Sequence, residues 1–441
     1  MQLALPLMGA QLAQMGMGVT DVIMAGRYSS VDLAGVALAT SIMWPVMLLI
    51  MGIVQAVTPT VAQLDGAKNH TEIGEVIRQG LWLAILGGLF ASVVLLNVAP
   101  FYRFVGVDPN AAAVSVPYLE MVAWGLPALM CFFCLRFLAD GTGYTRPALF
   151  IAVSALLCKI PLNYILIHGY FGLPELGGVG CGVAQAIVMW VQLILILWVV
   201  SRKRFHHTRW MQHFSWPDWR RIKPLLIMGF PIGLTLFAEM GLFSLTTLLI
   251  GRFGAVFVAS HNISMTINGI MFMLPLALGM GATIRIGYRV GSGEVMQAKT
   301  TAAIAMVCTV VFAIIAALFI LMTREYLVAI FTTDQVVRDL SYTLLLFVVF
   351  FLVFDATQST AIGCLRGYKD TRRPLAIALF SYWGIGLPLG CMLGFGWLSD
   401  PLGVFGFWIG LSVGLGTAAC LLCARLWQVS KNEALIRSLA G

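Results

Sequence analysis

Apolar runs of about 20 residues or more follow one another along the whole chain, parted by short polar intervals. An α-helix needs about 20 apolar residues to cross the hydrocarbon layer of a bilayer. On that measure crossings fall near residues 2–25, 33–62, 76–99, 117–140, 146–168 and 178–201, and then near 223–250, 257–287, 299–322, 339–364, 374–397 and 402–428. The runs are continuously apolar, whereas the strands of a membrane barrel alternate at every second residue. Inside lipid only a helix satisfies its own backbone within one segment. The pattern predicts an all-α polytopic membrane protein with about twelve transmembrane helices.

Composition agrees. Hydrophobic residues make up 60% of the chain and charged residues 10%, against roughly 25% charge in a soluble domain, which excludes a water-soluble fold of this size. Met1 leads straight into an apolar span with no basic region or small-residue cleavage site, so the first span is expected to stay in the protein; a short leader ahead of it is left open. Two Cys-x-x-Cys pairs, Cys131/Cys134 and Cys420/Cys423, sit inside predicted helices with no second pair or His cluster beside them. Helical packing accounts for them better than metal or redox chemistry.

The formal net charge is +8, and its distribution carries orientation. With both termini on one face, that face holds 21 of the 27 Lys and Arg. They include Arg78, Arg136 and the loop residues Arg202, Lys203, Arg204, Arg209, Arg220, Arg221 and Lys223. The opposite face holds Arg27, Arg103, Arg252, Arg324 and Arg338, while Lys159 falls inside the fifth span. Positive residues stay inside, so both termini and the central loop are expected in the cytoplasm of a bacterial inner membrane. Trp210, Trp216 and Trp219 interleave with the basic residues of that loop, as on a nucleic-acid surface. A linker lying on anionic headgroups explains them more simply, and no nucleic-acid partner is expected.

Sliding the chain by 225 positions pairs Pro6 with Pro231, Gly16 with Gly241, Gly26 with Gly251, Arg27 with Arg252 and Gly66 with Gly291. Farther on, Asp140-Gly-Thr-Gly-Tyr-Thr-Arg-Pro147 parallels Arg366-Gly-Tyr-Lys-Asp-Thr-Arg-Arg-Pro374, and Pro161 parallels Pro388. Gly, Pro and Arg matches outweigh apolar ones because their backbone and charge roles are specific. A six-span repeat returns the chain to its starting side. The halves are therefore expected to share one orientation about a pseudo-two-fold axis along the membrane normal. The expected organisation is an N-terminal six-helix bundle over 1–201, a cytoplasmic linker over 202–222 and a C-terminal bundle over 223–441. Pro6 and Pro231 fall early in the first span of each half, where a missing N–H either loosens the helix or sets a packing kink.

Most of the 19 Asp and Glu fall at loops or span ends; Asp21, Glu239 and Asp355 are harder to place there. A charged acid at the bilayer centre costs about 2.5–3.5 kcal/mol on insertion scales, which makes such residues functional candidates. Asp21 lies near the outer end of its span and admits an interfacial role, whereas Glu239 and Asp355 lie mid-span. Under the repeat Glu239 meets Gln14 and Asp355 falls near Met130, so the helices repeat and the acids do not. Two carboxylates facing one cavity bind a desolvated Na+ through hard oxygens, or share a proton because both resist ionising together. Either ion would compete with a cationic substrate for one negative field.

Four stretches are similar to the multidrug and toxic compound extrusion family, in its branch of NorM-like bacterial exporters. They are Thr20-Asp-Val-Ile-Met-Ala-Gly-Arg27, Thr58-Pro-Thr-Val-Ala-Gln-Leu-Asp-Gly-Ala67, Arg285-Ile-Gly-Tyr-Arg-Val-Gly291 and Leu365-Arg-Gly-Tyr-Lys-Asp370. The resemblance covers essentially the whole chain. It implies export of bulky, often cationic and aromatic compounds in exchange for Na+ and/or H+, by a protein that is not an enzyme, acts as a monomer and needs no other cofactor. It also implies that Glu239 and Asp355 bind the cation, Na+ if sodium-coupled, and that Asp21 and Asn163 belong to a polar site in the N-terminal bundle. Some family members carry a Tyr one turn before the second acid, where this chain has Phe351, which leaves the choice of ion open. Met15, Met17, Met240, Met271 and Met273 are candidates to line an adaptable pocket, with ordinary core packing the simpler role.

Two rival readings remain. A lipid-linked precursor flippase of similar design would show a more cationic cavity, and here Lys159 alone points that way. A membrane-embedded acyl or prenyl transferase needs clustered acids or His at a membrane face, or a nucleophile with its base. His70, His168, His206, His207, His213 and His261 form no such constellation in sequence.

Overall fold

A computed structural model describes residues 2–105, 107–172, 174–397 and 400–440, and the regular elements among them are all helical. The first half consists of α1 (Ala4–Tyr28), α2 (Ser30–Val54), the short α3 (Val57–Gly66), α4 (His70–Leu96), the short α5 (Val98–Val105), α6 (Pro109–Ala123), α7 (Leu126–Gly141), α8 (Arg146–His168) and α9 (Gly178–Val200). A tight helical turn, Lys203–Thr208, opens the linker. The second half consists of α10 (Trp219–Ile250), α11 (Ala255–Gly291), α12 (Val295–Phe331), α13 (Gln335–Gly367), α14 (Arg372–Leu379), a π-helical turn over Phe380–Gly386, α15 (Leu387–Gly394), α16 (Val404–Lys431) and α17 (Glu433–Ala440).

Ten helical stretches among the described residues are long and apolar enough to cross a membrane, and the pair α6–α7, bent by 50°, is an eleventh. The 25-residue α1, made more polar by Gln11, Gln14 and Asp21, supplies the twelfth of the expected set. The protein is an all-α, multi-pass membrane protein.

Two spans depart from the even apolar pattern for local reasons. The expected span 117–140 begins earlier, at Pro109, because Asp108 caps α6 by accepting from the Asn110 N–H. It breaks at Trp124–Gly125. An added Cβ at Gly125 would lie 2.6 Å from Met189 Sδ and 2.9 Å from the Ala186 Cα, so only glycine admits α9 so close to the bend. Pro127 then enters α7 in its first turn, where no intrahelical N–H bond is lost. The same logic settles Pro6. It lies in the first turn of α1, so it loosens nothing there, whereas Pro231 lies well inside α10.

One compact unit comprises Gly9–Gly233, and the other comprises Leu3–Met8 with Leu234–Gly441. The core of the first gathers α2, α4, α6, α7 and α9 around residues such as Tyr118, Phe132 and Met130. Its linker is held rather than loose. Phe205 and Thr208 are buried, Arg78 donates to the Arg209 and Trp210 carbonyls, and Trp82 Nε1 donates to the Ser215 carbonyl at 2.9 Å. Trp210 is buried, while Trp216 and Trp219 are exposed.

In the second unit α11 and α13 meet at their glycines. A Cβ on Gly363 would stand 2.4 Å from the Gly279 carbonyl oxygen, and the Thr283 hydroxyl bridges to the Gly363 carbonyl at 2.6 Å. This contact locks the register of the helix that carries Asp355.

The internal repeat is also written in the backbone. Left-handed φ values recur 225 or 226 positions apart: Lys68 (57°) with Gly293 (79°), Gly143 (73°) with Lys369 (62°), and Gly177 (54°) with Gly403 (58°). Each marks a turn after or before an equivalent helix, so the halves end their helices alike even where the residue differs.

Candidate functional site

In the first unit Asp21, on α1, is 3% exposed. Lys159 Nζ donates to its Oδ2 at 2.7 Å and Asn163 Nδ2 donates to its Oδ1 at 2.8 Å. Lys159 and Asn163 are four residues apart, so one face of α8 presents both. Lys159 also donates to Gln185 on α9. Charge counting is then simple: one buried acid, one buried ammonium, no net charge.

In the second unit Asp355, on α13, is 3% exposed, and Glu239, on α10, is partly exposed. One amide joins them. Gln358 Nε2 donates to Glu239 Oε1 at 3.2 Å and to Asp355 Oδ1 at 3.3 Å. Gln358 Oε1 accepts from the Tyr382 hydroxyl, which fixes which end of the amide faces the acids. Asn268, on α11, donates to Asp355 Oδ2 at 3.3 Å, while its own Oδ1 is buried and pairs with nothing among the described residues. Tyr382 stands on the π-helical turn, whose wider winding re-aims side chains and recurs at functional sites.

This second cluster holds two acids and neutral partners, with the Arg366 guanidinium acting on Glu239 through its field. A cation entering here is attracted, because two carboxylates face it in a poorly solvated place. At Asp21 the Lys159 ammonium already occupies that role.

A family profile described as MatE matches residues 6–165 and 231–392. The chain belongs to the MatE family. The two matched stretches begin 225 positions apart, the offset of the internal repeat. Among curated relatives of this MatE chain, a protein of Pseudomonas aeruginosa named multidrug resistance protein PmpM is 41% identical over 433 residues, covering 98% of this chain and 91% of the relative. One of Yersinia pseudotuberculosis named multidrug resistance protein MdtK is 40% identical over 443 residues, covering 100% and 97%. The fold matches the crystal structure of the eukaryotic MATE transporter AtDTX14 with a TM-score of 0.90 at 20% identity, over 100% of this chain and 97% of that one. The bent form of the Vibrio cholerae MATE transporter VcmN matches at 0.86 and 17% identity, over 99% and 97%.

Within this MatE chain the four residues singled out by sequence fall into two clusters: Asp21 with Asn163, and Glu239 with Asp355. Sequence reasoning noted Lys159 only as an exception and missed its partner. It also missed Gln358, Asn268, Tyr382 and Gln185. Gln358 was within reach, since it stands one turn after Asp355 and shares its helical face. Nothing local to the sequence distinguishes Asn268 or Tyr382 from other polar residues in spans.

Phe351, where a Tyr stands in some family members, is fully buried against Phe243 and Trp408, with ring centroids 6.1 and 5.6 Å away. Arg136, counted with the basic residues of one face, is buried in α7 with its Nε 3.6 Å from Asp140 Oδ2. The i, i+4 spacing makes the two a local pair. Met17 is core, packed with Ala155 and Val188, while Met240 is exposed at 37%.

Proposed function

We propose that this protein is a multidrug exporter that moves bulky, often cationic and aromatic compounds out of the cytoplasm in exchange for Na+ or H+ taken up at Glu239 and Asp355. The observation that carries the reading is the Gln358 bridge, which gathers two acids into one network. Adding a proton or a Na+ relieves the repulsion between the acids. Adding a cationic drug competes for the same field, so binding of one favours release of the other. The names of the relatives support the substrate class, and membership of the family favours transport over a transferase. The bacterial relatives and the excess of basic residues on one face support an inner-membrane protein with both termini in the cytoplasm.

A specific observation also supports Na+. Asn268, whose amide nitrogen donates to Asp355, has a buried Oδ1 that accepts no hydrogen bond among the described residues; it is a hard oxygen, and alkali cations take such oxygens as ligands.

The test is dye export in everted membrane vesicles with Na+ and pH gradients imposed separately. At least one gradient is expected to drive it, and Glu239→Gln and Asp355→Asn are each expected to lower the driven rate at least tenfold with expression unchanged. Export indifferent to both gradients, or full activity in both variants, overturns the reading.

A further inference from the structure

Three metal-ligating side chains converge far from one another in sequence, on the linker side of the first unit. Asp65 is on the last turn of α3, His70 opens α4, and His207 is on the Lys203–Thr208 turn of the linker. Their ligand atoms lie within 4.8 Å of one another. Asp65 Oδ1 is 3.8 Å from His70 Nδ1 and 4.0 Å from His207 Nε2, and the two imidazole centroids are 4.9 Å apart.

The surroundings of the cluster leave its inner nitrogens without competing partners among the described residues. His207 Nδ1 lies 2.7 Å from the Arg204 carbonyl. A carbonyl only accepts, so Nδ1 carries the proton and Nε2, facing Asp65, presents a lone pair. Metal-binding histidines are commonly oriented by this second bond to a backbone carbonyl. His70 Nδ1 is buried and has no hydrogen-bond partner among the described residues. Nothing therefore holds a proton on His70 Nδ1, and two imidazole nitrogens stand 3.8 and 4.0 Å from one carboxylate oxygen, too far for hydrogen bonds and close enough to share an ion.

We propose that Asp65, His70 and His207 form a binding site for a divalent transition-metal ion, Zn2+ by its donor set, that fastens the linker to the α3–α4 turn. Ligands about 2.0–2.2 Å from a tetrahedral Zn2+ stand roughly 3.3–3.5 Å apart, so the 3.8 and 4.0 Å separations of the two histidines from Asp65 need only a small closure around an ion. Two nitrogens and one oxygen suit Zn2+ and its d-block neighbours; Mg2+ and Ca2+ prefer all-oxygen shells, and no thiolate is present to select softer ions. The side chains of His70 and His207 are 38% and 39% exposed, which leaves the fourth position open to water.

The frame is already set without the ion. Lys68 takes a left-handed φ of 57° so that three residues reverse the chain between α3 and α4. The linker backbone runs so close to α4 that a Cβ on Gly74 would lie 2.6 Å from the Thr208 carbonyl oxygen. The sequence hid this cluster because its members are separated by 5 and 137 positions, and only the docked linker brings His207 to the turn.

The test uses the full-length protein in detergent at pH 8, with any polyhistidine tag removed. Zn2+ binding is followed by calorimetry, and Co2+ is added as a spectroscopic probe of low-coordinate nitrogen and oxygen ligation. One ion per chain is expected, with a tetrahedral Co2+ spectrum and slower proteolysis of the linker in the presence of Zn2+. His207→Ala and His70→Gln are each expected to weaken Zn2+ binding at least tenfold while leaving the elution profile of the folded protein unchanged. Zn2+ binding equal in the wild type and in both variants, or no binding by the wild type, overturns the proposal.

Discussion

Lys159 Nζ and Asp21 Oδ2 stand 2.7 Å apart with side chains 1% and 5% exposed, and this contact joins α8 to α1 deep in the first unit. Removing one partner of such a pair strands a buried charge and costs roughly 3–5 kcal/mol, whereas removing both is far milder. Lys159→Met is therefore expected to lower the melting temperature in detergent clearly. The double variant Asp21→Asn with Lys159→Met should recover most of the loss. Equal melting of Lys159→Met and wild type would show that the ammonium does not neutralise Asp21.

The bond from Tyr382 to Gln358 orients an amide that serves two acids at once. Without the hydroxyl, Gln358 Oε1 is buried without a donor, a penalty of about 1–3 kcal/mol, and the amide gains reason to turn its oxygen elsewhere. Tyr382→Phe should keep the fold and the expression level, because only one oxygen is lost. Ion-driven export should fall several-fold, with the coupling ion needed at higher concentration. If export kinetics are unchanged in both the ion and the dye dimension, the amide is not held by Tyr382 in the working protein.

These clusters explain what the sequence disclosed and what it withheld. Continuous apolar runs reveal helices because lipid leaves no other way to satisfy the backbone, and α8 runs over the expected residues 146–168. An isolated acid in such a run is conspicuous for the same reason, so Glu239 and Asp355 stand out unaided. Their partners do not. Asn268 and Tyr382 are neutral, cost little to bury, and come from α11 and from the π-helical turn, so only the packing of three helices reveals them. Arg136 shows another limit: the sequence marks a basic residue near a span end, and only the structure shows it buried and paired with Asp140 one turn on.

Under the proposed exchange, Asn268 is the residue that would tell Na+ from a proton: its Oδ1 would serve Na+ as a ligand that a proton does not need, while its amide nitrogen donates to Asp355 in either case. Asn268→Ala is expected to raise the Na+ concentration for half-maximal export by about tenfold, equivalent to about 1.4 kcal/mol, and to change pH-driven export much less. Dye export titrated with Na+ at fixed pH, then driven by pH without Na+, measures both. An unchanged Na+ titration would remove Asn268 from the ion's shell.

Four glycines test whether the repeated turns are held by backbone conformation or by space. At Gly143, Gly293, Gly18 and Gly269 an added Cβ would meet nothing within 4 Å, so none of these sites is crowded. They differ in backbone alone: Gly143 and Gly293 have φ of 73° and 79°, while Gly18 and Gly269 lie inside α1 and α11. A Cβ in the left-handed region costs roughly 1–2 kcal/mol, whereas alanine in a helix interior gains about 1 kcal/mol over glycine. Gly143→Ala and Gly293→Ala should thus lower the melting temperature, and Gly18→Ala and Gly269→Ala should hold or raise it. The Lys residues at the equivalent positions, Lys68 and Lys369, already bear that backbone cost, so Lys68→Gly should stabilise slightly where Gly293→Ala destabilises. If all four alanine variants shift in the same direction, the left-handed turns are not what the glycines are there to provide.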